Sequence, residues 1–95
     1  MPYYQWNREK NELLKAERGI SFEQVVMHIE SGDLLDVYEH PNQERYPGQQ
    51  ILVVRMGVYA YVVPFVESSD GRFLKTVIPS RKATCEYLGD ADAEN

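Results

Sequence analysis

The chain has 95 residues, 43% of them hydrophobic and 26% charged, which is the composition of one ordinary globular domain. Its net charge of −5 counts against nucleic-acid binding, because contacts to phosphate need lysine or arginine, and its single cysteine, Cys85, excludes an internal disulfide. No apolar run is long enough for a membrane span and the first residues lack the pattern of a signal peptide, so we expect a cytoplasmic protein without contact to a membrane.

The chain begins with a predicted short strand over residues 3–6, followed by a helix. Asn7 fits the N-cap of this helix, because its side-chain oxygen can accept a hydrogen bond from an amide of the first turn. Leu13 and Leu14 are expected to face inward. Gly19 fits the end of the helix, since glycine readily takes the positive φ of a C-terminal cap.

A second helix is predicted directly after the first. Ser21 and Gln24 have the spacing of a capping box. The apolar residues that follow fall at i, i+3, i+4 and i+7, which is the stripe of a helix packed on a core; they are Phe22, Val25, Val26 and Ile29. Gly32 is expected to end this helix.

The remaining chain is predicted to form strands joined by turns. The strands are expected over residues 34–38, 51–55, 58–66 and 73–78, with a loop over 40–50 and turns at Met56-Gly57 and 68–71. The 58–66 strand is apolar on both faces, which predicts a central strand, and Pro64 within it predicts a bulge or an edge. Pro79 is expected to end the last strand, and Ser80 to cap a short final helix.

This order predicts an α+β domain over residues 1–88, with two N-terminal helices packed on a twisted antiparallel sheet of three to five strands and a short C-terminal helix. Residues 89–95 are predicted to be an acidic, flexible tail. Residues 51–85 hold five basic residues against two acidic ones, so a locally basic surface is compatible with an acidic chain. The acidic balance equally favours a basic protein partner.

Three short motifs lie near the two ends of the chain. Gln5-Trp6-Asn7 leads into a lysine-bearing helix, Gly19-Ile20-Ser21-Phe22-Glu23 begins the second helix, and Pro79-Ser80-Arg81-Lys82-Ala83-Thr84 follows the last strand. In this order, over roughly residues 4–88, the chain resembles the BrnT-type toxins of bacterial toxin–antitoxin pairs. It departs from their usual pattern at residues 17–19, where a histidine commonly precedes the glycine, and in its short, acidic C-terminal end.

The resemblance implies a RelE-like fold and an endoribonuclease that cleaves RNA and inhibits translation. It also implies a cognate antitoxin, often of the ribbon-helix-helix type, through which alone the toxin contacts DNA. No metal ion or cofactor is expected. A non-catalytic interaction module of the same fold, holding a basic protein partner, stays open as the alternative. The net charge and the missing histidine favour this alternative, whereas the retained motif over residues 80–84 and the basic strands favour the nuclease.

RNA cleavage without a metal ion needs a group that takes the 2′-hydroxyl proton, groups that stabilise the pentavalent phosphorane, and a group that protonates the leaving oxygen. The expected catalytic residues are Arg81 as a bidentate phosphate clamp, Lys82 as a second cation, Lys75 on the last strand, and His40 as an acid or base. The expected RNA-binding residues are Arg45, Tyr46, Arg55 and Arg72.

Three of the expected catalytic residues also have a purely structural interpretation. Lys82 has the i+4 spacing of an ion pair with Glu86, and Lys75 fits the solvent face of a strand. His40 lies in a loop where polar side chains commonly satisfy backbone turns. His28 is interpreted as a flank of the apolar stripe on the second helix. The scattered histidines and the lone cysteine predict no metal site.

Overall fold

The structure, a computed structural model, describes residues 3–89, and within this range it contains three α-helices and six strands. In chain order these are β1 (Tyr4–Trp6), α1 (Arg8–Arg18), α2 (Phe22–His28), β2 (Leu34–Glu39), β3 (Gln49–Met56), β4 (Tyr59–Ser68), β5 (Gly71–Leu74), β6 (Ile78–Pro79) and α3 (Arg81–Leu88). Of the acidic tail predicted over residues 89–95, Gly89 ends α3, and residues 90–95 lie outside the described residues.

The strands form one mixed sheet in the order β1-β5-β4-β3-β2, with β6 paired to β4. The α+β class is confirmed, but the expectation of an antiparallel sheet with three to five strands is wrong in two respects. The sheet has six strands among the described residues, and β1 runs parallel to β5. The parallel pairing was not predicted because the partner of β1 lies far along the chain, with Tyr4 aligned with Arg72. No local sequence pattern indicates a pairing between strands so far apart.

The junction of β1 with β5 requires a glycine. The amide of Arg72 donates a hydrogen bond of 2.7 Å to the carbonyl of Tyr3. At Gly71, with φ 129°, a Cβ atom would lie only 2.3 Å from that carbonyl oxygen. A residue without a side chain is therefore needed for the two backbones to come this close.

The two central strands bury apolar side chains on both faces, as the apolar 58–66 segment predicts, with β3 fully buried over residues 51–54 and β4 buried or half-buried over residues 59–66. Successive side chains of a strand point to opposite faces, so β3 and β4 contribute to two separate cores. The core beneath α1 and α2 contains Leu14, Phe22, Val25, Leu52, Val54, Val63, Phe65, Leu74 and Val77. The core beneath α3 contains Ile51, Val53, Ala60 and Ala83. The molecule thus has three layers, with the sheet in the middle.

The predicted helix starts are confirmed. The Asn7 Oδ1 atom accepts a hydrogen bond of 2.9 Å from the amide of Lys10, and Ser21 and Gln24 form the complete capping box. Leu14 is buried, but Leu13 is 47% exposed, so the prediction that both face inward is wrong for Leu13. Adjacent residues of a helix are about 100° apart, and the narrow contact of α1 with the sheet holds only one of them.

The second helix ends differently from the prediction. Its α-helical part stops at His28, and a π-helical turn, Ile29–Asp33, follows before β2. Gly32 lies in this turn with φ 94°, so the predicted role of this glycine in stopping the helix is confirmed. In the turn, the His28 Nδ1 atom lies 2.9 Å from a carboxylate oxygen of Asp33.

The turns and the last strand also differ in their bounds. The hairpin turn lies at Gly57-Val58, one residue later than predicted, and β3 begins at Gln49 within the predicted loop. The predicted strand over residues 73–78 is split into β5 and β6, which both pair with β4.

Pro64 of β4 faces the gap between β5 and β6. Its carbonyl accepts a hydrogen bond from the amide of Lys75, which lies in this gap. Because the carbonyl and the amide nitrogen of a strand residue point to the same side, the nitrogen of Pro64 faces the gap as well. The missing N–H of proline therefore breaks no ladder, and the β3–β4 register has no bulge there.

One buried polar side chain joins the two N-terminal helices. Asn11 is only 3% exposed, and its Oδ1 atom accepts a hydrogen bond of 2.8 Å from the amide of Phe22 at the start of α2. Its Nδ2 atom donates to a carboxylate oxygen of Glu23, also at 2.8 Å. This hydrogen bond is the main reason that the pKa of Glu23 lies below its ordinary value.

Replacing Asn11 by alanine should lower the free energy of unfolding by about 1–3 kcal/mol, because the buried amide of Phe22 loses its acceptor. Urea denaturation of the two proteins measures this difference. The matched control is Glu17→Ala on the exposed side of α1, which should change stability by no more than about 0.5 kcal/mol. Equal stability of the Asn11→Ala variant and the native chain would contradict the role of this side chain.

Candidate functional site

The motif over residues 80–84 forms the first turn of α3 and divides its side chains between two tasks. The Ser80 Oγ atom caps the helix by accepting a hydrogen bond of 3.0 Å from the amide of Ala83. The Thr84 hydroxyl donates to the Ser80 carbonyl at 2.7 Å and accepts from the amide of Ala60 at 2.9 Å, which ties α3 to β4. Arg81 and Lys82 take no part in this anchoring and are exposed.

Helix α3 is too short to cover its side of the sheet. With eight residues it is about 12 Å long. Strand β4, with ten residues, extends about 33 Å. The helix packs over Val53, Ala60 and Val62, near the β3–β4 hairpin, and reaches as far as Ile51. The opposite end of the same face therefore lies without a helix above it.

This uncovered region, here called the open sheet face, consists of two rows of residues that cross the sheet. The strand register and two flanking backbone hydrogen bonds define the first row as Lys75, Pro64, Ile51 and Tyr38, and the second as Phe73, Val66, Gln49 and His40. Of these eight residues Ile51 alone is buried, at 6% exposure, because it lies at the edge of the core beneath α3. Lys75 and Tyr38 lie at the two ends of one row. Three strand spacings separate them, which corresponds to about 14 Å.

A groove of about 400 Å³ lies between β2 and α3, at the Tyr38 end of the open sheet face. The residues that line this β2–α3 groove are Asp36, Tyr38, Pro41, Val62, Ser80, Lys82, Ala83, Glu86 and Tyr87. The groove therefore joins the basic start of α3 to the beginning of the loop that carries His40. Lys82 is the expected catalytic residue that lines it.

Carboxylates dominate the electrostatics of the groove. The Tyr87 hydroxyl donates a hydrogen bond of 2.5 Å to Asp36, and this bond, with the charges of Asp36 and Glu86, raises the pKa of Tyr87 to about 12. The pKa of Tyr38 is also raised, first by burial and then by the charges of Glu86 and Asp36. Among the described residues no ion pair joins Lys82 to Glu86, so that interpretation of Lys82 is wrong.

The loop between β2 and β3 is held in shape by its own side chains. The His40 Nδ1 atom accepts a hydrogen bond of 3.0 Å from the amide of Asn42, so the neutral ring carries its proton on Nε2. The ring centroids of His40 and Tyr46 lie 4.5 Å apart, and the Arg45 guanidinium lies 5.6 Å from the Tyr46 centroid. The interpretation that polar side chains of this loop hydrogen-bond to backbone groups of the turn is confirmed. Three expected site residues, His40, Tyr46 and Arg45, also pack against one another there.

The other expected residues are divided over the sheet. The Lys75 Nζ atom lies 5.4 Å from the ring centroid of Phe73, on the open sheet face. Arg55 lies at the opposite end of β3, about 20 Å from the His40 end, with its guanidinium bonded to the Gly57 carbonyl. Arg72 pairs with Glu67 at 3.1 Å over the other face of the sheet. The structure thus brings neither Arg55 nor Arg72 to the groove.

Several lining residues were not predicted as members of a site. Asp36 and Tyr38 lie within a short strand, and Tyr87 lies on the last helix, where their patterns indicate only ordinary secondary structure. Glu86 was considered only as an ion-pair partner of Lys82. The one signal in the sequence is the excess of tyrosine, seven residues in 95, which is common at wet interfaces.

Within residues 3–89 no group of histidine, cysteine and acidic side chains is arranged to hold a metal ion. No helix in the described part of the chain has the length and apolar character needed to cross a bilayer. Comparison of the chain with protein families, with characterised proteins and with solved structures finds no match.

The tyrosine–carboxylate contact in the groove makes stability depend on alkaline pH. The pKa of Tyr87 is raised in the folded protein, so this contribution is fully present below the ordinary value of 10.0 and is lost as the pH rises towards about 12. Urea denaturation at about pH 9 and about pH 11.5 should show a larger loss for the native chain than for Tyr87→Phe, which has no phenol to ionise. Equal losses in the two proteins would contradict the Tyr87–Asp36 hydrogen bond.

Proposed function

We propose that the protein is the toxin of a toxin–antitoxin pair and cleaves RNA without a metal ion, as the resemblance to BrnT-type toxins implies. The observation that carries the proposal is that the motif over residues 80–84 contains both anchoring and exposed side chains. Ser80 and Thr84 anchor the helix, while Arg81 and Lys82 are presented to solvent beside a groove. An anchored helix start with two outward cations suits a phosphate-binding role, because the cations are held in place before RNA arrives.

The proposed reaction is an attack of the 2′-hydroxyl oxygen of a ribose on the adjacent phosphorus. Arg81 binds two phosphate oxygens and Lys82 adds a second positive charge as the pentavalent phosphorane forms. Because the Nδ1 atom of neutral His40 accepts from the Asn42 amide, its Nε2 atom carries the proton and donates a hydrogen bond to a phosphate oxygen. Water takes the 2′-hydroxyl proton and returns a proton to the leaving 5′-oxygen. Cleavage of the bond from phosphorus to the 5′-oxygen, with protonation of that oxygen, leaves a 2′,3′-cyclic phosphate and a 5′-hydroxyl.

The open sheet face is the proposed path of the RNA strand. Phe73 offers a partly exposed aromatic ring on this face and Lys75 a cation, a combination that binds single-stranded RNA by stacking and charge. Tyr46 and Arg45 extend the same face at the loop. The RelE-like assignment of the fold belongs to this proposal, as does a cognate antitoxin that neutralises the toxin and alone contacts DNA.

Expression of the native chain in a bacterial host should arrest growth, and Arg81→Ala, Lys82→Ala and Lys75→Ala should each relieve the arrest. The purified native protein should cleave a mixed-sequence RNA in the presence of a metal chelator, and Arg81→Ala should reduce the rate by about 100-fold or more.

The matched control is Lys15→Ala, which removes a lysine that pairs with Glu12 on α1, on the opposite side of the sheet. This variant should remain toxic. Growth arrest that persists in both the Arg81→Ala and Lys75→Ala variants would exclude the proposed site, provided that the variants are folded.

A second candidate function is favoured by the acidic groove. Asp36 and Glu86 give the β2–α3 groove a negative potential, and the chain as a whole has a net charge of −5. These charges suit a non-catalytic module that holds a basic protein partner. This function predicts a stable complex with the partner but neither growth arrest nor RNA cleavage by the folded native chain.

A further inference from the structure

The β2–α3 groove has one carboxylate that the fold does not use. Both oxygens of Asp36 are engaged within the protein, one by the Tyr87 hydroxyl at 2.5 Å and the other by the amide of Val37 at 2.8 Å. Glu86 makes no side-chain hydrogen bond or ion pair with any described residue, although Lys82 lies one helical turn before it. The carboxylate of Glu86 is therefore available to a ligand.

The charge around this carboxylate is negative in spite of Lys82. The phenols of Tyr38 and Tyr87 both have a raised pKa, and in each case the charges of Asp36 and Glu86 contribute. Burial is the main cause of the raised pKa of Tyr38 and the Asp36 hydrogen bond that of Tyr87, and the two negative charges add to both because they disfavour the phenolate. Two carboxylates, Asp36 and Glu86, thus line the groove against one ammonium group, that of Lys82. A cation would be stabilised in the same place.

The rest of the groove is apolar and aromatic. Val62 and Ala83 line it beside the rings of Tyr38 and Tyr87. Tyr38 is 40% exposed, so its ring is accessible to a ligand or a partner. β2 is the last strand of the sheet, so the groove opens sideways to an approaching chain.

We propose that the β2–α3 groove binds an arginine side chain of a basic protein partner. The guanidinium would stack on the ring of Tyr38 and donate hydrogen bonds to the carboxylate of Glu86, while its aliphatic stem would lie on Val62 and Ala83. Arginine fits this site better than lysine, because a planar guanidinium can stack and form paired hydrogen bonds at once. The inference deepens the proposed function, on which it rests for the identification of the partner as the antitoxin.

Occupation of the groove has a direct consequence for the proposed RNA site. Lys82 lines the same groove, and Tyr38 forms one end of a row on the open sheet face. A partner arginine bound between Tyr38 and Glu86 would cover Lys82 as well as Tyr38. Binding of the partner and binding of RNA would then exclude each other, and a single side chain would couple them.

The test is a titration of the full chain with the peptide acetyl-Gly-Arg-Gly-amide at low salt, followed by nuclear magnetic resonance. The comparison peptide carries citrulline in place of arginine, which keeps the planar shape and removes the charge. We expect saturable shifts at Tyr38, Glu86 and Tyr87 with the arginine peptide and none with the citrulline peptide. The Glu86→Gln variant should weaken binding about tenfold, since a charge-assisted hydrogen bond is lost.

Two further proteins complete the design. Lys82→Gln should strengthen binding, because a like charge leaves the groove, and Glu17→Gln on α1 should leave the affinity unchanged. Equal binding of the citrulline peptide, shifts spread over the whole acidic surface, or an unchanged affinity in Glu86→Gln would overturn the inference. Saturable shifts at the groove with guanosine monophosphate, in place of the peptide, would also overturn it and assign the groove to RNA.

The titration uses no RNA and no growth assay, so its outcome is separate from the test of the proposed function. A toxin that cleaves RNA but does not bind the arginine peptide refutes the inference alone. A protein that binds the peptide in the groove but neither cleaves RNA nor arrests growth retains the arginine site and refutes the proposed nuclease.

Discussion

The burial of β3 and β4 on both faces is the constraint on which the rest of the structure depends. Four consecutive residues of β3, Ile51 to Val54, are at most 6% exposed, so both faces of the sheet must be covered at this point. Two helices meet this need on one side, whereas the eight residues of α3 meet it on only part of the other. The groove and the open sheet face exist because the second cover is shorter than the sheet.

Features that depend on neighbouring residues could be predicted from the sequence. The caps at Asn7, Ser21 and Ser80 and the end of α1 at Gly19 each involve atoms within about one helical turn, so the residue types and their spacing suffice. The two-sided burial of β4 follows equally from a run of apolar residues. In the candidate site, the motif over residues 80–84 correctly indicated a capped helix that presents Arg81 and Lys82.

Features that depend on distant residues could not be predicted in the same way. The partner of Asn11 is the start of another helix, and the partner of Asp36 is Tyr87, 51 residues further along the chain. The groove arises where β2 and α3 meet, and neither element alone shows a binding pattern. Lys82 and Glu86 have the i, i+4 spacing of an ion pair, yet the two side chains line the groove without forming one. Helical spacing permits such a contact but does not enforce it.

The parallel pairing of β1 with β5 bears on the order in which the chain folds. The β3–β4 hairpin joins residues close in sequence and closes a short loop, whereas β1 must wait for a strand almost seventy residues later. Loop-closure entropy makes such a distant contact slow to form, so we expect β1 to dock after the hairpins are in place. In that order of events β5 would present an unpaired strand edge until β1 docks, and the close backbone approach at Gly71 would be made only then.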